Sequence, residues 1–443
     1  MRAGKTRCAL AAAAAAAVTL IAACSGGGTS GNATGNDVVT ITLTSDAAPV
    51  NAKATQQVIA LFEQSHPKIK VKFEPDNGTA RQSSVLRIGQ GDPSLDIASA
   101  EVGYQYQWYA SGWITPVTNY FTKAELSTVV PHLIDEWTTS DGKMLGIPTD
   151  NSGMWLAVNQ DLLKQAGVKP PPTMKRDSLQ ATTSGVWTWE QVLAAAKQVK
   201  QKTGKTGLIF PGDQAWATLP LAEQLGAKAT GPEGLTVDGY LNQQPWVEAM
   251  ARWKTFFVGG ASQIANPNFS NDQFLAGNAA FQLSHDAVFD ECKTVKFDCD
   301  AAAQPYYQGG HKAVQSTNSG YVLNAKSPHQ AQAAEFMKFV LLNPQASKIL
   351  VAAPFFAGVP MLKTPFAAMM TDPKYKTFPN SVKVLGAWQS QNWPETPVKS
   401  PIGATLFTSL SDAYQSARTG AKSPQDAATT MYDQVSRELT KYH

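Results

Sequence analysis

Charged residues are scarce in this 443-residue chain, and neither sign is in excess. They make up 16% of the sequence, against about 25% in typical soluble proteins. The first 23 residues contribute three of the 37 basic residues and no acidic one, so the rest of the chain has no net charge. Because binding to phosphate needs clustered Lys and Arg, we expect no nucleic-acid partner.

The chain also lacks the motifs of several common enzyme classes. His-Glu-x-x-His, Gly-x-Ser-x-Gly and the Walker motif Gly-x-x-x-x-Gly-Lys do not occur, and the six histidines are scattered. Asp290 and Glu291 are sequence neighbours, whereas two glycosidase carboxylates must face each other across a bond. These absences disfavour those enzyme classes, and we expect no metal and no cofactor. An exported glycan-acting enzyme remains an alternative.

Cysteine is nearly absent, and the positions of the four that occur are informative. Cys8 lies within the apolar N-terminal run and Cys24 directly after it, which leaves Cys292 and Cys299. Two thiols this close in an exported chain are typical of a disulfide. No histidine lies at metal-ligand spacing from either one. We therefore predict a structural disulfide between Cys292 and Cys299.

The N-terminus has the pattern of an export signal. Arg2, Lys5 and Arg7 precede a short apolar run that ends in Ile21-Ala22-Ala23-Cys24. This ending resembles the bacterial lipobox, which implies cleavage after residue 23 and a lipid on Cys24. Residues 24–37 would then form a flexible tether at the outer face of the bacterial cytoplasmic membrane. An ordinary secretory signal with an incidental Cys is the alternative.

The first part of the folded chain alternates between strand and helix patterns. Val38 to Leu43 is a β-branched run, residues 51–65 carry a helical apolar face, and Ile69 to Phe73 alternates as a strand. Strand, helix and strand in about 36 residues predict a βαβ unit and a largely parallel sheet in an α/β fold. Residues 169–187 predict a long surface loop. Thr188 is predicted to cap the helix that follows, with Gln191 completing a capping box.

Short segments spread over nearly the whole chain resemble the extracellular solute-binding proteins of carbohydrate ABC importers, the group that contains maltose-binding protein. These segments are Gly91 to Ile97, Tyr109 to Pro116, Asp141 to Lys143, Gly146 to Pro148, Asn159 to Leu163, Gly167 to Pro172 with Thr188 to Glu190, Phe274 to Ala280, Ser319 to Tyr321 and Ala333 to Met337. Each segment alone is weak evidence. Their order and spacing together carry the resemblance.

The resemblance implies a periplasmic-binding-protein-like fold with two α/β lobes and a ligand cleft between them. Residues 38–148 and 309–356 would form lobe 1, and residues 149–308 and 357–443 would form lobe 2. Hinge segments are expected at 147–151, 304–308 and 356–360. The implied function is reversible binding of a sugar or oligosaccharide, which a monomeric receptor delivers to the transmembrane subunits of an ABC permease.

Candidate solute contacts follow from the strand ends and from this resemblance, because ligands bind at the carboxyl ends of strands in open α/β sheets. In lobe 1 they are Ser45, Asp46, Asn77, Glu101 and Tyr104, together with Ser319 and Gly320. In lobe 2 they are Asn151, Ser152, Trp155, Asp213, Trp216, Asp286 and Trp388, with Trp393 as the substitute for Trp388. Trp155 could instead be a core residue. A cationic, non-sugar solute also remains possible, because Glu101, Asp213 and Asp286 could line a cleft for it.

Overall fold

The structure is a computed structural model that describes residues 38–46, 49–76, 82–151, 153–266, 270–284, 287–315, 319–353, 359–393 and 396–442. Its strands are β1 (Val39–Asp46), β2 (Ile69–Asp76), β3 (Ile97–Glu101), β4 (Ile114–Thr115), β5 (Ile147–Pro148), β6 (Trp155–Asn159), β7 (Thr206–Phe210), β8 (Ser262–Ile264), β9 (Ala279–Ser284), β10 (Cys299–Ala303) and β11 (Ser319–Asn324).

Helices lie between and after these strands. They are α1 (Pro49–Ser65), α2 (Gln82–Gly89), α3 (Tyr104–Ala110), α4 (Lys123–Leu126), α5 (Pro131–Glu136), α6 (Gln160–Ala166), α7 (Leu179–Ser184), α8 (Trp189–Thr203), α9 (Ala215–Glu223), α10 (Gln244–Phe256), α11 (Asp272–Leu275), α12 (Ala287–Glu291), α13 (Gln330–Leu342), α14 (Pro344–Ala352), α15 (Lys363–Thr371), α16 (Asn380–Asn392), α17 (Gly403–Thr419) and α18 (Pro424–Leu439). Short 3-10 turns lie at Thr118–Tyr120, Pro373–Tyr375 and Thr440–Tyr442.

The strands form two separate sheets, which confirms the predicted α/β class. The first sheet has the order β2-β1-β3-β11-β4, with β5 paired to β11. The second has the order β10-β6-β9-β7-β8. The predicted βαβ unit is confirmed as well, because β1 pairs in parallel with β2 over its whole length and α1 lies between them in sequence.

The expectation of largely parallel sheets is only partly right. β1, β2 and β3 run parallel, as do β7, β8 and β9, but β11 is antiparallel to β3 and β6 is antiparallel to β9. Both exceptions are the first strand after the chain passes from one sheet to the other: β6 follows β5 of the first sheet, and β11 follows β10 of the second. β6 and β11 therefore run away from the junction between the two sheets, whereas the strands antiparallel to them run towards it.

Each sheet has its own hydrophobic core. Around the first, α1 and α13 contribute Phe62 and Phe336, whose rings meet edge to face at 5.1 Å. Around the second, Phe210 stacks on Phe256 at 5.2 Å and meets Trp253 edge to face at 4.6 Å. These large buried rings hold each half together independently of the other.

The C-terminal helices contact both cores. Phe366 of α15 packs with the first core, and α16 places Val384 there and Leu385 against a smaller cluster on the second sheet. The first core therefore extends beyond residue 356, where the predicted lobe 1 ends. The division of the chain into lobes remains a prediction.

The segment predicted as a long surface loop is more ordered than its sequence indicates. It contains α7, and buried Asp300 accepts hydrogen bonds from the Thr173 hydroxyl at 2.6 Å and the Lys175 N–H at 2.9 Å. These partners lie more than 100 residues away in sequence, so local composition could not indicate them. The capping box of Thr188 and Gln191 is confirmed.

Cys292 is bonded to Cys299, with their Cα atoms 5.7 Å apart. The bridge joins the loop after α12 to the first residue of β10. Among the described helices, none has both the length and the apolar character needed to cross a bilayer.

Candidate functional site

Three of the predicted residues lie at the edge of the first sheet that faces the junction with the second sheet. β3 ends at Glu101 directly opposite Ser319, the first residue of β11. Ser45 lies near the end of β1, is buried, and accepts a hydrogen bond from the Tyr321 hydroxyl at 3.1 Å. The strand ends are therefore brought together as expected, but the Ser45 side chain lies below the surface.

The neighbouring polar groups hold the crossing segments to one another. The Ser319 N–H donates to the Asp150 carboxylate at 3.2 Å, and the Ser319 hydroxyl lies 3.3 Å from that of Thr149. Asn151 is fully buried and donates through Nδ2 to the Pro360 carbonyl at 3.2 Å. In this structure these side chains connect parts of the chain that are far apart in sequence.

Gly320 is required by packing. A Cβ at this position would lie 2.2 Å from the Ile147 carbonyl oxygen and 2.3 Å from the Trp137 ring. The missing side chain lets β5 and Trp137 approach β11 closely. The space that a solute was expected to use is filled by the protein.

Trp155 is a core residue in this structure, which is the alternative that the sequence left open. Its side chain is fully buried, and its indole N–H donates to the Val382 carbonyl at 3.1 Å. Phe289 meets it edge to face at 5.7 Å. Gly386 lies so close that a Cβ there would be 2.4 Å from the Trp155 ring.

Asp213 is neutralised within the second half of the molecule. Its carboxylate accepts from Arg418 through Nε at 2.9 Å and Nη2 at 2.6 Å, and from the Trp253 indole at 3.0 Å. Only 8% of the residue is exposed. Asp213 therefore joins the start of α9 to α10 and α17.

The remaining predicted aromatic residues lie in different places. Tyr104 begins α3, and Trp216 lies on α9, partly buried against the second core. Trp388 is partly buried and meets Trp393 edge to face at 4.8 Å. The Lys312 ammonium lies 4.5 Å from the centre of the Trp393 ring.

Several predicted positions lie outside the described residues: Asn77, Ser152 and Asp286, together with the lipidation candidate Cys24. Asp46 is described as the last residue of β1 through its backbone alone. Their roles remain predictions.

A small cavity lies where the two halves of the molecule meet. One wall comes from the segment after β3 and from α5, and the other from α9, the segment before α17, and α17 itself. The lining residues are Val102, Gly103, Tyr106, Glu136, Leu219, Thr396, Pro397, Val398 and Phe407. The space has a volume of about 10 Å³, enough for one water. A larger molecule could enter only if the two walls separated.

Phe407 forms the contact across this cavity. Gly103 has a φ of +93°, and a Cβ there would lie 2.9 Å from the Phe407 ring. The rings of Tyr104 and Phe407 are 6.4 Å apart, and a Cβ on Gly403 would lie 2.2 Å from the Gly103 carbonyl oxygen. Two glycines therefore let the partly buried Phe407 ring of α17 rest against the turn that follows β3.

The polar groups of the first wall are held rigidly. The Tyr106 hydroxyl donates to the Glu136 carbonyl at 2.9 Å and to that of Thr138 at 3.2 Å. The Gln105 side chain donates to the same Glu136 carbonyl at 3.0 Å. Burial raises the pKa of Tyr106 well above its ordinary value, so this hydroxyl remains protonated and continues to donate.

Two glutamates lie at or beside the cavity. Glu136 lines it and is 2% exposed. Glu223, one helical turn after Leu219, accepts the N–H of Thr396 at 3.1 and 3.2 Å through its two oxygens. Burial of the carboxyl raises the pKa of Glu223 to about 8. At neutral pH the Glu223 carboxyl is therefore held in its protonated, uncharged form.

Sequence reasoning missed Phe407, Gly103, Glu136 and Glu223. Phe407 occupies an apolar position in the first turns of α17, where a core role has the same pattern. The glutamates become neighbours of the cavity only through folding. Within the described part of the chain, no group of three His, Cys, Asp or Glu side chains could hold a metal ion.

Comparisons with known proteins give a family and a fold. A sequence model of the family described as "bacterial extracellular solute-binding protein" matches residues 45–347. The sn-glycerol-3-phosphate-binding periplasmic protein UgpB of Brucella abortus (strain 2308) is 22% identical over 268 residues, a match that spans 56% of each chain. The chain thus spans little more than half the length of this curated relative.

Two solved structures share the fold. The ABC substrate-binding protein Lmo0181 from Listeria monocytogenes, solved in complex with cycloalternan, aligns with a TM-score of 0.75 at 20% identity over 91% of this chain and 100% of that one. Maltose-bound MalE3 of T. maritima aligns with a TM-score of 0.71 at 18% identity over 90% of this chain and 100% of that one. At such low identity these likenesses establish the fold.

Proposed function

The chain belongs to the bacterial extracellular solute-binding protein family, and from this premise we propose that it binds a sugar or oligosaccharide between its two halves. Members of this family are binding proteins that work outside the cytoplasm, not enzymes. The observation that carries the proposal is the cavity between the turn after β3 and α17, whose walls come from both halves of the chain.

Its small volume indicates a closed arrangement of the two walls. The connections from β5 to β6 and from β10 to β11 join the two sheets and are the candidates for bending. We infer that they let the halves separate, admit the solute and close over it. A closed state that alone contacts the solute on both sides is stabilised by binding.

Carbohydrate is the solute class that fits the lining best. A sugar ring has apolar C–H faces and polar edges, so its site needs an aromatic surface and fixed hydrogen-bonding groups. Phe407 and Tyr104 supply the first, and the carboxyl groups of Glu136 and Glu223 can accept from hydroxyls. The Listeria monocytogenes and T. maritima proteins of the same fold were solved with cycloalternan and with maltose, which supports this choice.

Attachment and delivery complete the proposal. The lipobox-like ending before Cys24 supports a lipid anchor, and residues 25–37 would let the folded part turn near the membrane. We propose that the loaded monomer hands its solute to the transmembrane subunits of an ABC permease. Replacing Cys24 with Ser should move the protein from the membrane fraction to the soluble fraction.

A panel of monosaccharides and oligosaccharides tests the binding proposal. A ligand that binds only the folded state raises its melting temperature, so thermal shift identifies a hit and calorimetric titration gives its affinity. Phe407→Ala should weaken binding by about tenfold through loss of the aromatic contact. Trp388→Ala, which removes a ring from outside the cavity, should change affinity by less than about twofold.

Two results would count against the proposal. No hit in the panel, or a hit that Phe407→Ala leaves unchanged, would contradict a carbohydrate site at this cavity. Conversion of an oligosaccharide to shorter products would favour a glycan-acting enzyme.

A further inference from the structure

A second, larger cavity lies between α17 and α18, and the proposed function does not use it. Its volume is about 260 Å³, just below the range of about 300 to 1,000 Å³ that is usual for small-molecule sites. Its lining residues are Ser409, Asp412, Ala413, Gln415, Ser416, Lys422, Ala427, Thr430, Met431 and Gln434. None of them lines the cavity at Phe407. We call this space the α17–α18 groove, and we infer that it binds a free amino acid through its ammonium and carboxylate groups.

The groove has an apolar floor and a polar rim. α17 and α18 are joined by the short turn at residues 420–423. Ala413, Ala427 and Met431 are the buried apolar part of the lining, whereas Asp412 and Gln434 are exposed. Because two of the floor residues are alanines, the facing helices leave room between them. Such a floor can cover the apolar part of a small ligand, while a few polar groups fix its orientation.

Ser409 is the first observation that points to a ligand. It lines the groove, and only 5% of the residue is exposed. Among the described residues its hydroxyl has no hydrogen-bond partner, whereas the Ser411 hydroxyl on the same helix donates to the Phe407 carbonyl at 2.8 Å. A buried hydroxyl without a partner is costly. A ligand in the groove would supply the missing hydrogen bond.

Two opposite charges on different walls are the second observation. Asp412 lies on α17. Lys422 lies in the turn, where its N–H donates to the Ser416 carbonyl at 3.2 Å and its ammonium donates to the Thr430 hydroxyl of α18 at 2.8 Å. Within the described part of the chain, neither charge forms an ion pair, with the other or with a third residue. The groove therefore offers a carboxylate on the α17 side and an ammonium on the α18 side.

These groups together favour a small zwitterion. The carboxylate of an amino acid can accept from the Lys422 ammonium and its amine can donate to Asp412, and such charge-assisted hydrogen bonds are about twice as strong as neutral ones. The Ser409 hydroxyl can donate to the ligand or accept from it. A ligand with a single charge would leave one of the two side chains without a partner.

The lining also disfavours two other classes of ligand. Its residues include no aromatic ring. A sugar therefore finds no aromatic surface for its C–H face, and a quaternary ammonium finds no ring for a cation–π contact. A primary amine, which needs hydrogen-bond acceptors, fits these walls better.

Calorimetric titration of the whole protein at pH 7 with individual L-amino acids tests the inference. We expect saturable binding of at least one of them. The tightest is then compared with its N-acetylated form, which lacks the ammonium, and with its α-amide, which lacks the carboxylate. Each modification should weaken binding by about tenfold or more, because it removes one charge-assisted contact.

Variants assign each contact to a side chain. Asp412→Asn should weaken binding of the amino acid by about tenfold and leave the affinity for the N-acetylated form within about twofold of that of the unaltered protein. Lys422→Gln should do the same with respect to the α-amide. Ser409→Ala should weaken binding by about fivefold without unfolding the protein, because alanine is a better helix former than serine.

Two control variants should keep the affinity for the amino acid. Asp433→Asn makes the same chemical change on α18, at a position outside the lining. Phe407→Ala alters the other cavity and should weaken binding of sugars alone. The two sites are therefore tested separately, and this inference does not rest on the proposed function.

Three results would overturn the inference. The first is that no amino acid binds. The second is binding that N-acetylation or the α-amide leaves unchanged. The third is binding that Phe407→Ala abolishes but Asp412→Asn and Lys422→Gln do not, which would place the amino acid in the cavity between the two halves.

Discussion

The two ends of α9 carry acidic residues in opposite situations. Just before its first turn, Asp213 is matched by the Arg418 guanidinium and the Trp253 indole. At its last residue, Glu223 accepts hydrogen bonds from the backbone and the side chain of Thr396, and burial raises the pKa of its carboxyl to about 8. One acid is held as an anion by a charged partner. The other is held in its neutral form by burial.

The same contrast applies to the larger regions around these residues. At the sheet edges, the polar and small residues predicted to meet a solute are occupied by contacts within the protein. On the helix faces that meet across the cavity, Phe407 is only partly buried. We propose that folding and binding use different parts of the junction between the two halves.

Removal of the Arg418 guanidinium should give the largest loss of stability. Arg418→Ala leaves the buried Asp213 carboxylate without its charged partner, and we expect a loss of about 3 to 5 kcal/mol in the free energy of unfolding. Urea denaturation measures it. Arg437→Ala, an exposed arginine on α18, should change stability by less than about 0.5 kcal/mol. Equal losses in the two variants would remove the contrast between the ends of α9.

A methyl group at Gly320 tests the sheet-edge side of the comparison. Gly320→Ala places a Cβ within 2.3 Å of both the Trp137 ring and the Ile147 carbonyl oxygen, and we expect a loss of about 2 to 3 kcal/mol in the free energy of unfolding. Gly153→Ala is the control, because its nearest neighbour would lie 3.7 Å away. If Gly320→Ala has the same free energy of unfolding as Gly153→Ala and weakens only sugar binding, then Gly320 serves to bind the solute and not to pack the sheet edge.

Glu223→Gln should act in the opposite direction from Arg418→Ala. The folded protein keeps this carboxyl protonated up to about pH 8, whereas the unfolded chain ionises near pH 4.3. Between these two pH values the folded state therefore binds more protons than the unfolded chain. The stabilisation that comes from this difference is complete below about pH 4.3 and is lost as the pH rises through 8.

The variant has no such group to ionise. At pH 8 it should be more stable than the unaltered protein, by a margin on the order of 1 kcal/mol, and at pH 5 the margin should be smaller. Melting curves at the two pH values measure this. A variant that is less stable at pH 8 would show that Glu223 is as well compensated as Asp213.

The ion pair between Lys399 and Asp135 should give the smallest effect. Its atoms are 2.6 Å apart, but the aspartate side chain is 61% exposed, and pairs of this kind contribute about 0.2 to 1 kcal/mol. Lys399→Ala should therefore lower stability slightly at low salt and less at high salt. A large loss of stability that salt does not change would show that this pair behaves like the buried pair of Asp213 and Arg418.

The sequence predicted features that depend on neighbouring residues. The βαβ unit from Val39 to Asp76 and the capping box at Thr188 follow from local periodicity and local hydrogen bonds, and both are confirmed. The α7 helix was missed, because its segment is anchored by Asp300 of β10, more than 100 residues away in sequence.

The site could be predicted less well, because its chemistry depends on distant partners. Trp155 is part of the core because its indole meets the carbonyl of Val382, 227 residues away. Asp213 is neutralised by an arginine 205 residues away. Nothing in the sequence near either residue indicates these partners, and the same is true of the meeting of Gly103 with Phe407.

The position of a bound sugar is the most direct test of the account. A crystal structure with the tightest hit from the carbohydrate panel should place the sugar between the turn after β3 and the start of α17, against Phe407 and within reach of Glu136 or Glu223. A sugar bound elsewhere, with the contact between Gly103 and Phe407 still closed, would contradict it.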